Sequence, residues 1–302
     1  MPEHQHVRVL FVFNHKYEKN LDKLRSLYGE RFHDVRYLMP FYTGNRPDVI
    51  PVYESSSEFQ GFFAQAARSF IDPKVTHYVF TADDLLLNPS LNDETIISAF
   101  GLGEGEAYID GLLALSDEPL QWPHLLKALP VWRDEQYVMY KSELPSQEEA
   151  ARRMASNGCP VGDLTWKNLK SYGKWKRYPG WYYHLKLMLK RKGRIKMPYP
   201  MVKAYSDVVI VPRASIEKFC HYCGVFAAMG LWVEVAIPTA LALSCDKIVQ
   251  TRETGRTGLA VWTAAEVEEI GRKADYDVHK VFSVIGNDQL YLHPVKLSKW
   301  KL

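Results

Sequence analysis

The stretch THYVFTADDLLLNPS, residues 76–90, sets a short apolar run against two adjacent acids, Asp83 and Asp84. Tyr78, Val79 and Phe80 are β-branched or aromatic and suit a buried strand. The carboxylates then stand at the carboxyl end of that strand, which is where open α/β sheets bind ligands. Neighbouring carboxylates repel each other, and burial penalises both. Two readings answer the difficulty. The Asp-Asp pair caps the following turn, or a divalent cation neutralises it. Mg²⁺ and Mn²⁺ take carboxylate oxygen and share the rest of their shell with water and a diphosphate.

Outward from this stretch the chain alternates. Val7–Phe13 (VRVLFVF) reads as a fully buried strand, with Asn14 and His15 at its end. Glu18–Tyr28 carries Leu21, Leu24 and Tyr28 at helical spacing, with Gly29 as its stop. Val35–Met39 and Val49–Tyr53 read as strands. ESSSEFQGFFAQAARSF supplies a serine cap and an amphipathic helix with Phe59, Phe62, Phe63, Ala66 and Phe70 on one face. Gly61 in it is a place for a ligand or backbone to come close. Strand, helix, strand, helix, strand predicts a parallel, doubly wound α/β sheet. Further on, SQEEAARRMAS (146–156) predicts an exposed helix, and SDVVIVPRASIEKF a strand followed by a helix from near Ala214. LWVEVAIPTALALS predicts another helix. Thr263 and Glu266 form a capping box.

The 302 residues are enough for a core without staples, and 47% apolar with 24% charged residues is ordinary for a globular protein. Four cysteines are too few for a disulfide framework. Cys220 and Cys223 form one CxxC pair without a second, so they read as buried small hydrophobes. MPEHQHVRVLFVFNH lacks the basic start and cleavage site of a leader. The longest apolar run, Val225–Leu243, is broken by Glu234 and Pro238, so no membrane span is predicted. A cytoplasmic protein is the expectation. The net charge of +3 hides an asymmetry: Leu164–Ser206 holds twelve Lys or Arg and no acid, leaving the remainder close to −9.

YVFTADDLLLNPS resembles the DxD region of GT-A-fold, nucleotide-sugar-dependent glycosyltransferases, as found among enzymes of bacterial surface-glycan synthesis. Ala82, Asp83, Asp84, Leu86 and, one residue late, Pro89 match a D-A-D-D-x-L-x-P pattern; Thr81 departs from it where an Asp is frequent. The likeness covers residues 1–90 and, more weakly, 200–302. It implies a mixed, doubly wound sheet with helices on both faces and a C-terminal acceptor-side region. It also implies Mn²⁺ or Mg²⁺ on Asp83, with Asp84 beside it and a late histidine, His293, as a further ligand. The nucleotide diphosphate sugar would meet Asn14, His15, Tyr53, Glu54 and Gln60, and Lys296 would meet a phosphate as a point charge. The expected division is a nucleotide-sugar half, 1–135, and an acceptor-side half, 136–302, within one integrated domain.

An inverting transfer needs a carboxylate to take the proton of the acceptor hydroxyl. Glu234 lies in an otherwise apolar stretch, and burial raises a carboxyl toward the useful range. Pro238, four residues on, cannot donate to the Glu234 carbonyl, so the helix begins or bends there. The competing reading pairs Glu234 with a cation such as Arg213. Asp207, at a strand start, is a second candidate base. In the basic stretch, cations alternate with Trp166, Tyr172, Trp175, Tyr178, Trp181, Tyr182 and Tyr183. That mixture suits the inner face of a membrane carrying a lipid-linked glycan acceptor. Nucleic acid is set aside for want of a recognised module. The rival to the enzyme is a non-catalytic module that binds an anionic surface or polymer on a degenerate α/β fold, a reading that Thr81 favours.

Overall fold

A computed structural model describes residues 6–132, 139–169 and 180–302. Its centre is a mixed seven-stranded sheet in the order Ile248–Gln250, Ala107–Ile109, Val208–Pro212, His77–Ala82, Val7–Val12, Val35–Pro40, Val49–Val52. Val208–Pro212 runs antiparallel to both its neighbours, and the other pairings are parallel. The fold class is therefore α/β, as the alternation of elements predicts, and the sheet is mixed through the one antiparallel strand Val208–Pro212. Strands from 7 to 250 share this sheet, so both halves of the chain build it.

The first strand shows why the sheet needs cover on both faces. Val7, Val9, Phe11 and Phe13 pack into one core, while Leu10 and Val12 pack into the other, because successive residues point to opposite faces. The helix Lys19–Tyr28 covers the first face with Leu21, Leu24 and Tyr28. Gln60–Phe70, Arg213–Ala228 and Val233–Ser244 cover the second. Arg8 is the charged exception within the strand. It is buried, but its Nε donates to Asp34 Oδ2 at 2.8 Å and another guanidinium nitrogen donates to the Phe70 carbonyl, so its charge is paired.

Two helices cross closely because glycine allows it. A Cβ on Gly224 would stand 2.8 Å from the Ala64 Cβ, and one on Gly61 would meet Glu54 Cγ at 2.8 Å and Ala227 Cβ at 3.3 Å. Gly61 thus serves helix packing and not ligand approach. Gly29 closes its helix in ordinary right-handed geometry. Ser55 caps a short 3₁₀ turn, Ser56–Glu58, ahead of Gln60–Phe70, and Ser146 caps Gln147–Ser156. The Thr263–Glu266 capping box is formed. Cys220 and Cys223 are buried in one helix, with burial pushing both thiols up.

The C-terminal segment is docked. Tyr291–His293 pairs antiparallel with Leu86–Leu87 and parallel with Leu259–Ala260. Lys23 Nζ donates to the Leu297 carbonyl at 2.7 Å. This small sheet carries the chain's last histidine back to the acids that follow His77–Ala82. The basic stretch is helical over Trp181–Lys190, with His184 and Met188 buried; Tyr172, Trp175 and Tyr178 lie outside the described residues. Among the described residues no helix is long and apolar enough to cross a membrane.

Candidate functional site

The sheet topology brings several polar residues to one edge. Asn14 and His15 follow the carboxyl end of Val7–Val12, Asp83 and Asp84 that of His77–Ala82, Asp110 that of Ala107–Ile109, and Thr251 that of Ile248–Gln250. Val208–Pro212 runs the other way, so the residue before it, Asp207, comes to the same edge.

At its centre a histidine joins two acids. His293 Nε2 lies 3.2 Å from Asp84 Oδ1, and its Nδ1 lies 3.1 Å from Asp207 Oδ1. Burial works against the imidazolium, but the two carboxylates outweigh it and push the His293 pKa up to about 10. The ring is therefore charged at neutral pH in the metal-free protein. Val295 N–H donates to the Asp84 carbonyl at 2.5 Å, which ties the backbones of the two segments together.

Asp83 stands apart from this line. The residue is 5% exposed, and Asn20 Nδ2 donates to its Oδ2 at 2.8 Å. Burial pushes it up to about 6; Asn20 opposes the rise, Asp84 adds to it, and His15 and the Asn14 backbone oppose it. Of the three residues expected at a metal, Asp84 and His293 come together, while Asp83, expected as the principal ligand, is held instead by Asn20 of the helix Lys19–Tyr28. Among the described residues no three acidic, histidine or cysteine side chains converge to enclose an ion unaided. The Asp84–His293 pair nonetheless fits a hard cation: two ligands about 2.1 Å from one ion and at right angles lie about 3 Å apart. Asp207 on Nδ1 is the kind of outer carboxylate that orients a ligating imidazole.

Glu234 stands in the first turn of the helix Val233–Ser244. Pro238 lies inside this helix and does not begin it. The Glu234 carbonyl that Pro238 leaves without a helical donor accepts from Ala204 N–H at 3.0 Å. Burial pushes the Glu234 carboxyl up; the Trp232 indole and Lys203 oppose this, while Asp207 and Glu118 add to it. Lys203 itself pairs with Glu118 at 3.0 Å. Arg213 lies at the opposite edge of the sheet, where it donates to the Pro73 carbonyl at 2.7 Å.

Beyond Asn14 the edge carries exposed aromatics. Tyr53, 62% exposed, and Phe41, 58% exposed, meet edge to face with centroids 5.9 Å apart. Phe41 has φ 55°, a conformation uncommon outside glycine. Phe41 follows Val35–Pro40 and Tyr53 follows Val49–Val52, two and three strand spacings of about 4.8 Å, roughly 10 and 14 Å, from the Asp83 strand. Gln60 does not line the edge: it is fully buried, and its Nε2 donates to the Leu231 carbonyl at 2.7 Å. Glu54 Oε1 accepts from the next residue, Ser55 N–H, at 2.8 Å. Lys296 lines a hollow beside Pro294 and Trp262. A roomier hollow of about 720 Å³ lies between the helices Gln60–Phe70 and Arg213–Ala228 and holds none of these acids.

Asn20, Phe41, Asp110 and Thr251 have no local signature. Thr251 Oγ1 donates to Asp110 Oδ1 at 2.6 Å across 141 residues of sequence, and only the topology reveals such a pair. Compared with known proteins, the chain matches no family description and no curated sequence.

Proposed function

We propose that the protein is a metal-assisted glycosyltransferase of GT-A type that moves a sugar from a nucleotide diphosphate sugar to a glycan or lipid-linked acceptor. The observation that carries this reading is the line Asp84–His293–Asp207, assembled from distant segments at the carboxyl edge of the sheet, with a half-buried glutamate opening a helix beside it.

Asp84 and His293 hold Mg²⁺ or Mn²⁺, which when bound neutralises the leaving diphosphate. Asp207 orients His293 through Nδ1 and is thereby committed, leaving the role of base to Glu234. The raised pKa of Glu234 makes it a better proton acceptor than an ordinary carboxylate. Asp83, Asn14 and His15 face the ribose and sugar, and the exposed pair Phe41 and Tyr53 stacks the nucleobase. The protein acts on the cytoplasmic face of a membrane, where the exposed Tyr182, Tyr183 and Leu189 of the basic helix meet anionic lipid.

Melting in the presence of nucleotide sugars, with Mn²⁺ or with chelator, tests the reading. One nucleotide family should raise the melting temperature only with the metal, and Asp84→Ala should abolish the shift. Glu234→Gln should keep the shift and lower turnover about 10²–10⁴-fold. Absence of any metal-dependent shift across uridine, guanosine, cytidine and thymidine donors rejects the reading.

A further inference from the structure

Two aromatic rings face outward beside Glu234 and His293. Tyr205 is 44% and Trp262 70% exposed, and their ring centroids lie 5.0 Å apart with planes inclined by 51°. Large rings left in water in contact with each other mark a surface built to be covered. Both are rooted in the site. The residue before Tyr205, Ala204, donates its N–H to the Glu234 carbonyl at 3.0 Å; the residue before Trp262, Val261, donates its own to the His293 carbonyl at 2.8 Å.

Trp262 also walls a hollow of about 310 Å³ with Pro294, Lys296, Lys299 and Trp300. Among the described residues neither lysine has a carboxylate partner. Glu268, at the same hollow, accepts from the Tyr276 hydroxyl. Two ammonium groups at one hollow repel each other and favour an anion between them. The carboxylates near Tyr205 have the opposite sign: Asp110, Asp207, Glu118 and Glu234 all act on its hydroxyl. A ligand spanning the rings thus meets acid toward Glu234 and base toward Lys299.

We infer that Tyr205 and Trp262 are the stacking platform for an anionic acceptor saccharide, with its ring on the aromatic pair and its carboxylate or phosphate between Lys296 and Lys299. A sugar ring presents an apolar C–H face to aromatic rings and its hydroxyls to the side, so it covers the platform while one hydroxyl reaches toward Glu234. This rests on the glycosyl-transfer reading for the direction of the acceptor.

Titration calorimetry on the full chain, with neither nucleotide nor metal, separates the two ideas. The probes are a glucuronate-containing tetrasaccharide, a phosphorylated disaccharide and neutral maltotetraose. At least one charged saccharide should bind at least ten-fold more tightly than maltotetraose. Trp262→Ala should weaken it ten-fold or more, Trp262→Phe should restore most of the loss, and the Lys296→Ala, Lys299→Ala double variant should reduce it to the level of maltotetraose. Binding of neither charged probe, equal binding of the neutral one, or full affinity in Trp262→Ala overturns the inference. The same variants melted with nucleotide sugar and Mn²⁺ show which idea has failed: an intact shift without saccharide binding removes the platform alone, and saccharide binding without any shift removes the transfer reading alone.

Discussion

Asp83 is a carboxyl that the fold has made hard to ionise. Its pKa is near 6 against an ordinary 3.8, with burial as the chief cause. The native state therefore holds this proton more tightly than the unfolded chain does. Stability falls as pH rises through the window from about 4 to about 6, and the loss is complete above it. At about 1.4 kcal/mol per unit, the cost at neutral pH is roughly 2–3 kcal/mol. Asp83→Asn keeps an acceptor for Asn20 and removes the charge. Urea unfolding of the metal-free protein at pH 4.5 and pH 7 should show the variant gaining on the wild type between the two by about that amount. Equal pH slopes for the two proteins would show that Asp83 ionises freely. A buried acid of this kind is costly in a purely structural protein and useful in one that binds cations or sugars. The sequence raises that possibility through the Asp-Asp pair alone; Asn20, the residue that holds the carboxyl, lies 63 residues away and is invisible to any local pattern.

Among the elements, the long apolar helices were legible and their closeness was not. Phe62, Phe63, Ala66 and Phe70 announce one buried face by their spacing. Nothing in that spacing says that the partner helix meets this face through a glycine, Gly224, against Ala64. A Cβ there must displace backbone, so Gly224→Val should cost about 1–3 kcal/mol in chemical denaturation even though valine is the more apolar residue. Pro238 is a similar case. Its missing N–H suggested that the helix begins or bends there; the helix begins earlier and runs through Pro238, and Ala204 supplies the donor to the Glu234 carbonyl. In HLKLMLKRK, Leu185, Leu187 and Leu189 alternate and Met188 blurs the period, yet the segment Trp181–Lys190 is a helix, buried only at His184 and Met188. Its exposed rings at Tyr182 and Tyr183, 72% and 63% exposed, stand beside Lys186 and Lys190. Sedimentation with phosphatidylserine vesicles should therefore capture the protein at low salt and release it as salt screens the charge. Replacing Tyr182 and Tyr183 by serine should weaken capture several-fold, and capture that ignores both salt and the tyrosines would remove the helix from the contact.

For the whole molecule, the alternation of strand and helix over the first 80 residues was enough for the fold class, because buried parallel strands have an unmistakable composition. On resemblance Asp83, Asp84 and His293 were expected at a metal; the small sheet Leu259–Ala260, Tyr291–His293, Leu86–Leu87 sets Asp84 and His293 3.2 Å apart and leaves Asp83 with Asn20. Asp207 as their third member was not legible, since it depends on one antiparallel strand within a mostly parallel sheet. The assembled line makes the tail's docking sensitive to charge. The His293 pKa is raised to about 10 from 6.5, with burial opposing and the two carboxylates prevailing. Its contribution to stability is thus full below about 6.5 and lost as pH rises through about 10. A metal ion that takes Nε2 must first displace that proton. Binding of Mn²⁺ without nucleotide should therefore release one proton and tighten about ten-fold for each unit of pH between 6.5 and 7.5. Calorimetry in two buffers of different ionisation enthalpy counts the proton directly. His293→Gln has no such proton to lose, so its weaker binding should show little dependence on pH. Wild-type affinity that stays constant across this range would mean that the ion does not use His293, and the line of acid, imidazole and acid would then be a clasp for the C-terminal segment alone.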